Sequence, residues 1–193
     1  MSEFELYFGL GLEHILDIHG YDHILFVIAL SCVYAIRQWK AVLVMVTAFT
    51  LGHSITLALA TFNLIPFDSA LIEFLIPVTI IITAVTNIFT SPEEKTGKIR
   101  VNTLYAGAFG LIHGMGFSNY LRSLLGNEES IVLPLFAFNI GLEVGQIIIV
   151  AIFLLVSLIL TSAFGVSAKI WKTLVSLVVA AVGVMLALDA VYW

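Results

Sequence analysis

PLFAFNIGLEVGQIIIVAIFLLVSLIL, residues 134–160, carries one ionisable side chain, Glu143, in an otherwise apolar run. A stretch of roughly 20 apolar residues is enough to cross a bilayer core of about 30 Å. Inside hydrocarbon the backbone must satisfy its own hydrogen bonds, so such a stretch is a helix. The rest of the chain repeats the pattern. Apolar runs lie at 20–36, 41–62, 69–89, 101–125 and 170–193, separated by short polar loops. The pattern predicts an all-α, polytopic membrane helical bundle of about six transmembrane helices, forming a single domain over 1–193.

Composition agrees. Hydrophobic residues make up 61% of the 193 residues and charged residues 11%, where a soluble domain carries about a quarter charged. Nothing is left over for a separate soluble domain, and the expected surroundings are a lipid bilayer. The formal net charge of −5 gives no support for nucleic-acid binding. Cys32 is the only cysteine, which excludes an internal disulfide and a thiolate cluster, and it reads as a packing residue.

Residues 4–18 (FELYFGLGLEHILDI) form an N-terminal amphipathic helix, with Phe4, Phe8, Leu12, Ile15 and Leu16 near one stripe. Fused to the first span it would be roughly 50 Å long at 1.5 Å per residue, more than a bilayer core of about 30 Å. A break near Gly20 is therefore expected, with the segment lying in the interface or tucked against the bundle. Glu3, Glu5 and Glu13 precede the first basic residue, Arg37. A secretory signal opens with positive charge, so the N-terminus is expected to be retained.

Basic residues set the orientation. Arg37, Lys40, Lys95, Lys98, Arg100, Lys169 and Lys172 fall in alternate loops, and Arg122 is the exception. The opposite loops hold Asp68, Glu128 and Glu129. The positive-inside rule makes the basic side cytoplasmic, so both termini are predicted outside. The loop at 91–98 (SPEEKTGK) is the clearest polar linker. A short repeat, Phe49-x-Leu51-x-His53 and Phe109-x-Leu111-x-His113, occupies two spans that run in the same direction.

The five histidines avoid the cytoplasmic loops. Counting 1.5 Å per residue from the outer ends of their spans, His53 lies roughly 16 Å deep, His113 roughly 18 Å and Glu143 roughly 14 Å. His23 is shallower. A charged side chain at the middle of a membrane helix costs about 2.5–3.5 kcal/mol on the lenient insertion scale. Several such groups in one band must offset that cost by pairing or by binding a cation, and neutral imidazole with carboxylate suits zinc, nickel, cobalt, copper or iron.

Local spacing supports convergence. His19, Asp22 and His23 share one face at i, i+3 and i+4. Asn139, Glu143 and Gln146 form a stripe at i, i+4 and i+7, able to supply one ligand and orienting amides. Gly110 and Gly114 flank His113, and Gly141 and Gly145 flank Glu143. Such spacing lets backbones approach, and is expected to bring the fourth and fifth spans together.

The candidate ligands are therefore His23, His53, His113, Asp22, Glu143 and His14. A second group stands behind them: His19 and Asp17, which read as interfacial, Glu73 at the outer boundary, and Asn139 and Gln146. Asp189, beside Tyr192 and Trp193, reads as an interface anchor. A lone intramembrane histidine is as often a hydrogen-bonding residue between helices, so it is the group at matching depth that points to a metal.

The same residues carry a family resemblance. GYDHILFVIAL (20–30), FTLGHSITLALA (49–60), IEFLIPVTI (72–80), FGLIHGMGF (109–117) and FNIGLEVGQ (138–146) resemble, in order, successive blocks of the HupE/UreJ family. The resemblance implies a small polytopic protein of the bacterial inner membrane, of a kind regarded as nickel or cobalt permeases. It also implies that Asp22, His23, His53, His113 and Glu143 occupy the family's polar positions. The family pattern places a histidine four residues before the glycine of its G-x-D-H block. Here His14 precedes Gly20 by six residues and His19 adjoins it, so either can take that role.

Three functions follow. The first is a transition-metal permease with its site in the outer half of the bilayer. The second is an intramembrane, hydrolase-like metalloenzyme in which a fixed metal activates water and Glu143 or Asp22 serves as general base. A structural or sensor protein with bound metal is a third. The inner halves of the spans offer only Ser31, Thr47, Thr83, Thr86, Asn87, Asn102 and Thr103 as polar groups, where a permease needs a second state open inward. A homo-oligomer is compatible with all three.

Overall fold

The computed structural model describes residues 2–90, 99–125 and 131–193, with side chains from 101 onward in the second stretch. The linker at 91–98 and the acidic Glu128 and Glu129 lie outside the described residues. All regular structure among the described residues is helical: α1 (Glu3–Leu16), α2 (Asp22–Ser31), α3 (Trp39–Thr61), α4 (Ser69–Phe89), α5 (Ile99–Gly116), α6 (Ser118–Leu125), α7 (Val132–Ser162) and α8 (Ala168–Asp189).

Among the described residues, four helical stretches are long and apolar enough to cross a membrane: Ile36–Thr61, Ser69–Phe89, Val132–Ser162 and Ala168–Asp189. Two of the expected spans are shorter than the hydropathy pattern implied. The run at 20–36 is α-helical only over the ten residues Asp22–Ser31, about 15 Å of helix. The run at 101–125 is interrupted at Phe117 between α5 and α6. At the first, Asn87 Nδ2 donates to the Ala29 carbonyl in the last turn of α2 at 2.6 Å, and at the second, Phe117 packs against His14 and Phe138.

The N-terminal segment is a full helix with a capping box. Ser2 Oγ accepts from Glu5 N at 3.2 Å, and Glu5 Oε2 accepts from Ser2 N at 2.8 Å. It is tucked against the bundle. A β-carbon at Gly11 would collide with the Phe138 carbonyl, and one at Gly141 with the Phe8 carbonyl. These two glycines let α1 and α7 meet backbone to backbone. The chain then breaks at residues 17–21, where Asp17 Oδ1 accepts from His19 N at 2.8 Å, an Asx-type turn that stops the helix.

A second backbone contact joins α3 to α5. β-carbons at Gly52, Gly110 and Gly114 would meet the carbonyls of Gly107, Phe49 and His53. Gly107, Gly110 and Gly114 meet the carbonyls of Ala48, Phe49 and His53 in that order, so α3 and α5 run parallel, and the repeated Phe-x-Leu-x-His segments lie side by side. The glycines beside His113 and Glu143 thus bring α5 to α3 and α7 to α1, and not α5 to α7 as the spacing alone implied. Small-residue spacing marks a face for close approach without naming the partner.

The third close pair is α4 with α8, antiparallel, with Gly183 against Ile81 and Trp193 against Phe74. Lys172 Nζ donates to the carbonyls of Ile88 (3.2 Å) and Thr90 (2.7 Å) at the end of α4, where a cation complements the helix terminus. Arg122 does the same for α3 through the Ala60 carbonyl.

Candidate metal centre

The break after α1 turns the chain so that His14, near the end of α1, and His23, at the start of α2, meet edge to face. Their ring centroids are 4.6 Å apart. The close α3–α5 pair brings His53 and His113 to the same place. His53 lies 6.0 Å from His14 and 5.8 Å from His23, and His113 lies 5.0 Å from His23.

Two overlapping groups result. The ligand atoms of His14, His23 and His53 lie within 4.8 Å of one another, and so do those of Asp22, His23 and His113. His23 belongs to both. The rings are enclosed: His23 is 3% exposed, and His53 and His113 are 0% exposed.

Hydrogen bonding decides which nitrogens point inward. His23 Nδ1 is 3.1 Å from Asp22 Oδ1. An ionised carboxylate only accepts, so Nδ1 carries the hydrogen and Nε2 the lone pair. This is the carboxylate–histidine pairing common behind metal ligands. Thr79 Oγ1 donates to the Ile76 carbonyl at 2.7 Å and therefore accepts from His113 Nε2 at 2.9 Å. His113 thus keeps its lone pair on Nδ1.

Those lone pairs go unanswered within the protein. His14 Nε2, His23 Nε2, His113 Nδ1 and both ring nitrogens of His53 are buried without a hydrogen-bond partner among the described residues. Each such group costs about 1–3 kcal/mol if left so, and native interiors hold few of them. Convergent, unprotonated imidazole nitrogens beside a carboxylate are the donor set that a borderline transition-metal ion takes.

The other sequence candidates stand elsewhere. Asn139, Glu143 and Gln146 face α3, where they accept hydrogen bonds from Ser54 (2.6 Å), Thr47 (2.6 Å) and Thr50 (2.9 Å). The stripe is real, but it joins α7 to α3, and Glu143 is in neither convergent group. His19 and Asp17 lie in the exposed turn. His19, Asp22, Glu73 and Asp189 border an open cavity of about 340 Å³. A second open pocket, of about 550 Å³, is bordered by Glu13, His14, Asp17, Phe117 and Tyr120, so His14 stands between the surface and the buried rings. Thr79 was not singled out in the sequence. Its signal was its position four residues before Thr83 and eight before Asn87, which aligns all three on one face of α4.

Fold and site together define a class: an integral membrane protein of packed helices with a cluster of convergent histidines in its core. The family model described as HupE / UreJ protein matches residues 1–193, and the chain belongs to the HupE/UreJ family. Comparison with curated proteins and with solved structures finds no match.

Proposed function

We propose that the protein is a transition-metal permease of the nickel/cobalt type, with the transported ion held by His14, His23, His53, His113 and Asp22. The observation that carries this reading is the set of buried imidazole nitrogens that converge without partners. Membership of a family associated with nickel and cobalt transport supports the same reading. In it, an ion enters past His14 or Asp22, exchanges water for imidazole nitrogen, and sits where His23 is shared between the two groups. Zinc suits the same donors, so ion identity is part of the test.

The deciding experiment pairs metal analysis of protein purified without added metal with ion flux into proteoliposomes. Saturable uptake of nickel, cobalt or zinc, lost in His53→Ala, is the expected result. Near-stoichiometric metal without flux of any of the three overturns transport. It would favour the metalloenzyme reading, for which the pocket beside His14 supplies an open face for water and substrate.

A further inference from the structure

A permease site closed on one side needs a route out on the other, and the inner halves of these spans look dry in sequence. The structure gathers four of their polar groups, Thr83, Thr86, Asn87 and Asn102, around one space. A cavity of about 260 Å³ lies between α2, α3, α4 and α5, bordered by Leu30, Met45, Thr83, Asn87, Asn102 and Phe109. Thr86 and Tyr105 also border it. It stands on the side of the His cluster that carries Arg37 and Lys40, since Met45 and Asn102 are near the basic ends of α3 and α5.

A polar line connects the cavity to the cluster. Along one face of α4, Thr79 contacts His113, Thr83 is one turn further on, and Asn87 one turn beyond that. Thr83 Oγ1 donates to the Thr79 carbonyl at 2.8 Å, so it offers the cavity lone pairs only. Asn102 Nδ2 donates to Tyr34 Oη at 2.9 Å, and Tyr34 Oη donates to Met45 Sδ at 3.5 Å. Among the described residues, the wall thus presents neutral hydroxyl, amide and thioether groups and no carboxylate or imidazole.

One aromatic layer separates the two spaces. The Phe26 ring lies 4.9 Å from Phe49, 6.0 Å from Phe109 and 4.9 Å from His113, and Phe49 lies 5.1 Å from His113. Phe26 and Phe49 are fully buried, while Phe109 borders the cavity. From the geometry we infer that this cavity is the release half of the ion path, and that Phe26, Phe49 and Phe109 form the gate between it and the histidines. The inference rests on the permease reading. Its chemistry suits release, because an ion leaving imidazole nitrogen meets only neutral acceptors, which let water reclaim it. Conduction requires sites weak enough to leave.

The test has two arms. In the first, Thr86→Cys in a Cys32→Ala background is exposed to a membrane-impermeant cationic thiol reagent in inside-out and right-side-out vesicles. Labelling from the face bearing Arg37 and Lys40, at least tenfold faster than from the other face, is expected. Labelling only from the opposite face, or only by a membrane-partitioning maleimide, overturns the inference, because the cavity then opens outward or to lipid.

In the second arm, Thr83→Leu, which fills the cavity, should cut nickel or cobalt uptake at least tenfold and leave equilibrium binding of the same ion within twofold. Phe26→Ala should instead raise uptake or passive leak. Retained binding shows that each variant is folded. Unchanged flux in both variants, with wild-type flux intact, overturns the inference alone. Wild-type protein that binds metal and moves none overturns the permease reading, and this inference with it.

Discussion

Among the described residues, His53 has no hydrogen-bond partner at either ring nitrogen, which makes it the most direct probe of the metal reading. His53→Ala is expected to lose bound metal while remaining inserted, since alanine is tolerated in a membrane helix. His19→Ala, in the exposed turn, is expected to leave metal content unchanged. The reverse outcome, read by metal analysis of both purified variants, would show that the ion sits in the outer turn and not among the buried rings. Thr79 gives a finer test. Its hydroxyl accepts from His113 Nε2 and so keeps the lone pair on Nδ1. Thr79→Val should weaken metal affinity by roughly 10–100-fold, as is usual for groups that orient a ligand, without changing stoichiometry. A competition titration with a chromophoric chelator measures this, and an unchanged affinity would mean that His113 is not a ligand.

Among the helices, the two backbone-to-backbone contacts govern where the ligands stand. Gly110 meets the Phe49 carbonyl of α3, one turn from His53. A bulkier residue there would force α3 from α5 and separate His53 from His113. Gly110→Leu should lose metal as well as flux and lower the thermal midpoint, with an overpacking cost of about 1–3 kcal/mol. Gly141→Leu should displace α1 and remove His14 from the cluster, leaving the Asp22–His23–His113 group in place. Metal content of the two variants, compared at equal protein, separates these outcomes. Full retention of metal in Gly110→Leu would mean that the α3–α5 contact does not position the site.

For the molecule as a whole, a bound ion should stabilise the native state by mass action. At a free-ion concentration of 100 Kd the gain is about 2.7 kcal/mol. Chelation should lower the melting midpoint of purified protein, and nickel, cobalt or zinc should restore it. An unchanged midpoint would leave the orphaned imidazoles without their compensating ion. Orientation is testable separately. With the basic loops cytoplasmic, Thr96→Cys should resist impermeant thiol reagents applied to intact cells, and efficient labelling there would reverse the assignment.

What the chain determined by itself is its solvent and its inventory. Apolar runs such as 134–160 exclude a soluble fold, because hydropathy adds up locally and needs no partner. The same counting placed His53, His113 and Glu143 at similar depth, since rise per residue is constant. Depth is only one coordinate. Azimuth depends on which helix each face meets, and that was decided by glycines whose partners lie far away in sequence. Gly110 and Gly114 dock on α3, which turns His53 and His113 together. Gly11 and Gly141 dock α1 on α7, which delivers His14 and leaves His19 in the turn. Glu143, at the right depth, faces Thr47. The shortness of α2 and the break at Phe117 were hidden for the same reason: hydropathy records that a segment is apolar, while the contacts made where each helix stops are with residues far off in sequence, Asn87 at the end of α2 and His14 and Phe138 at Phe117.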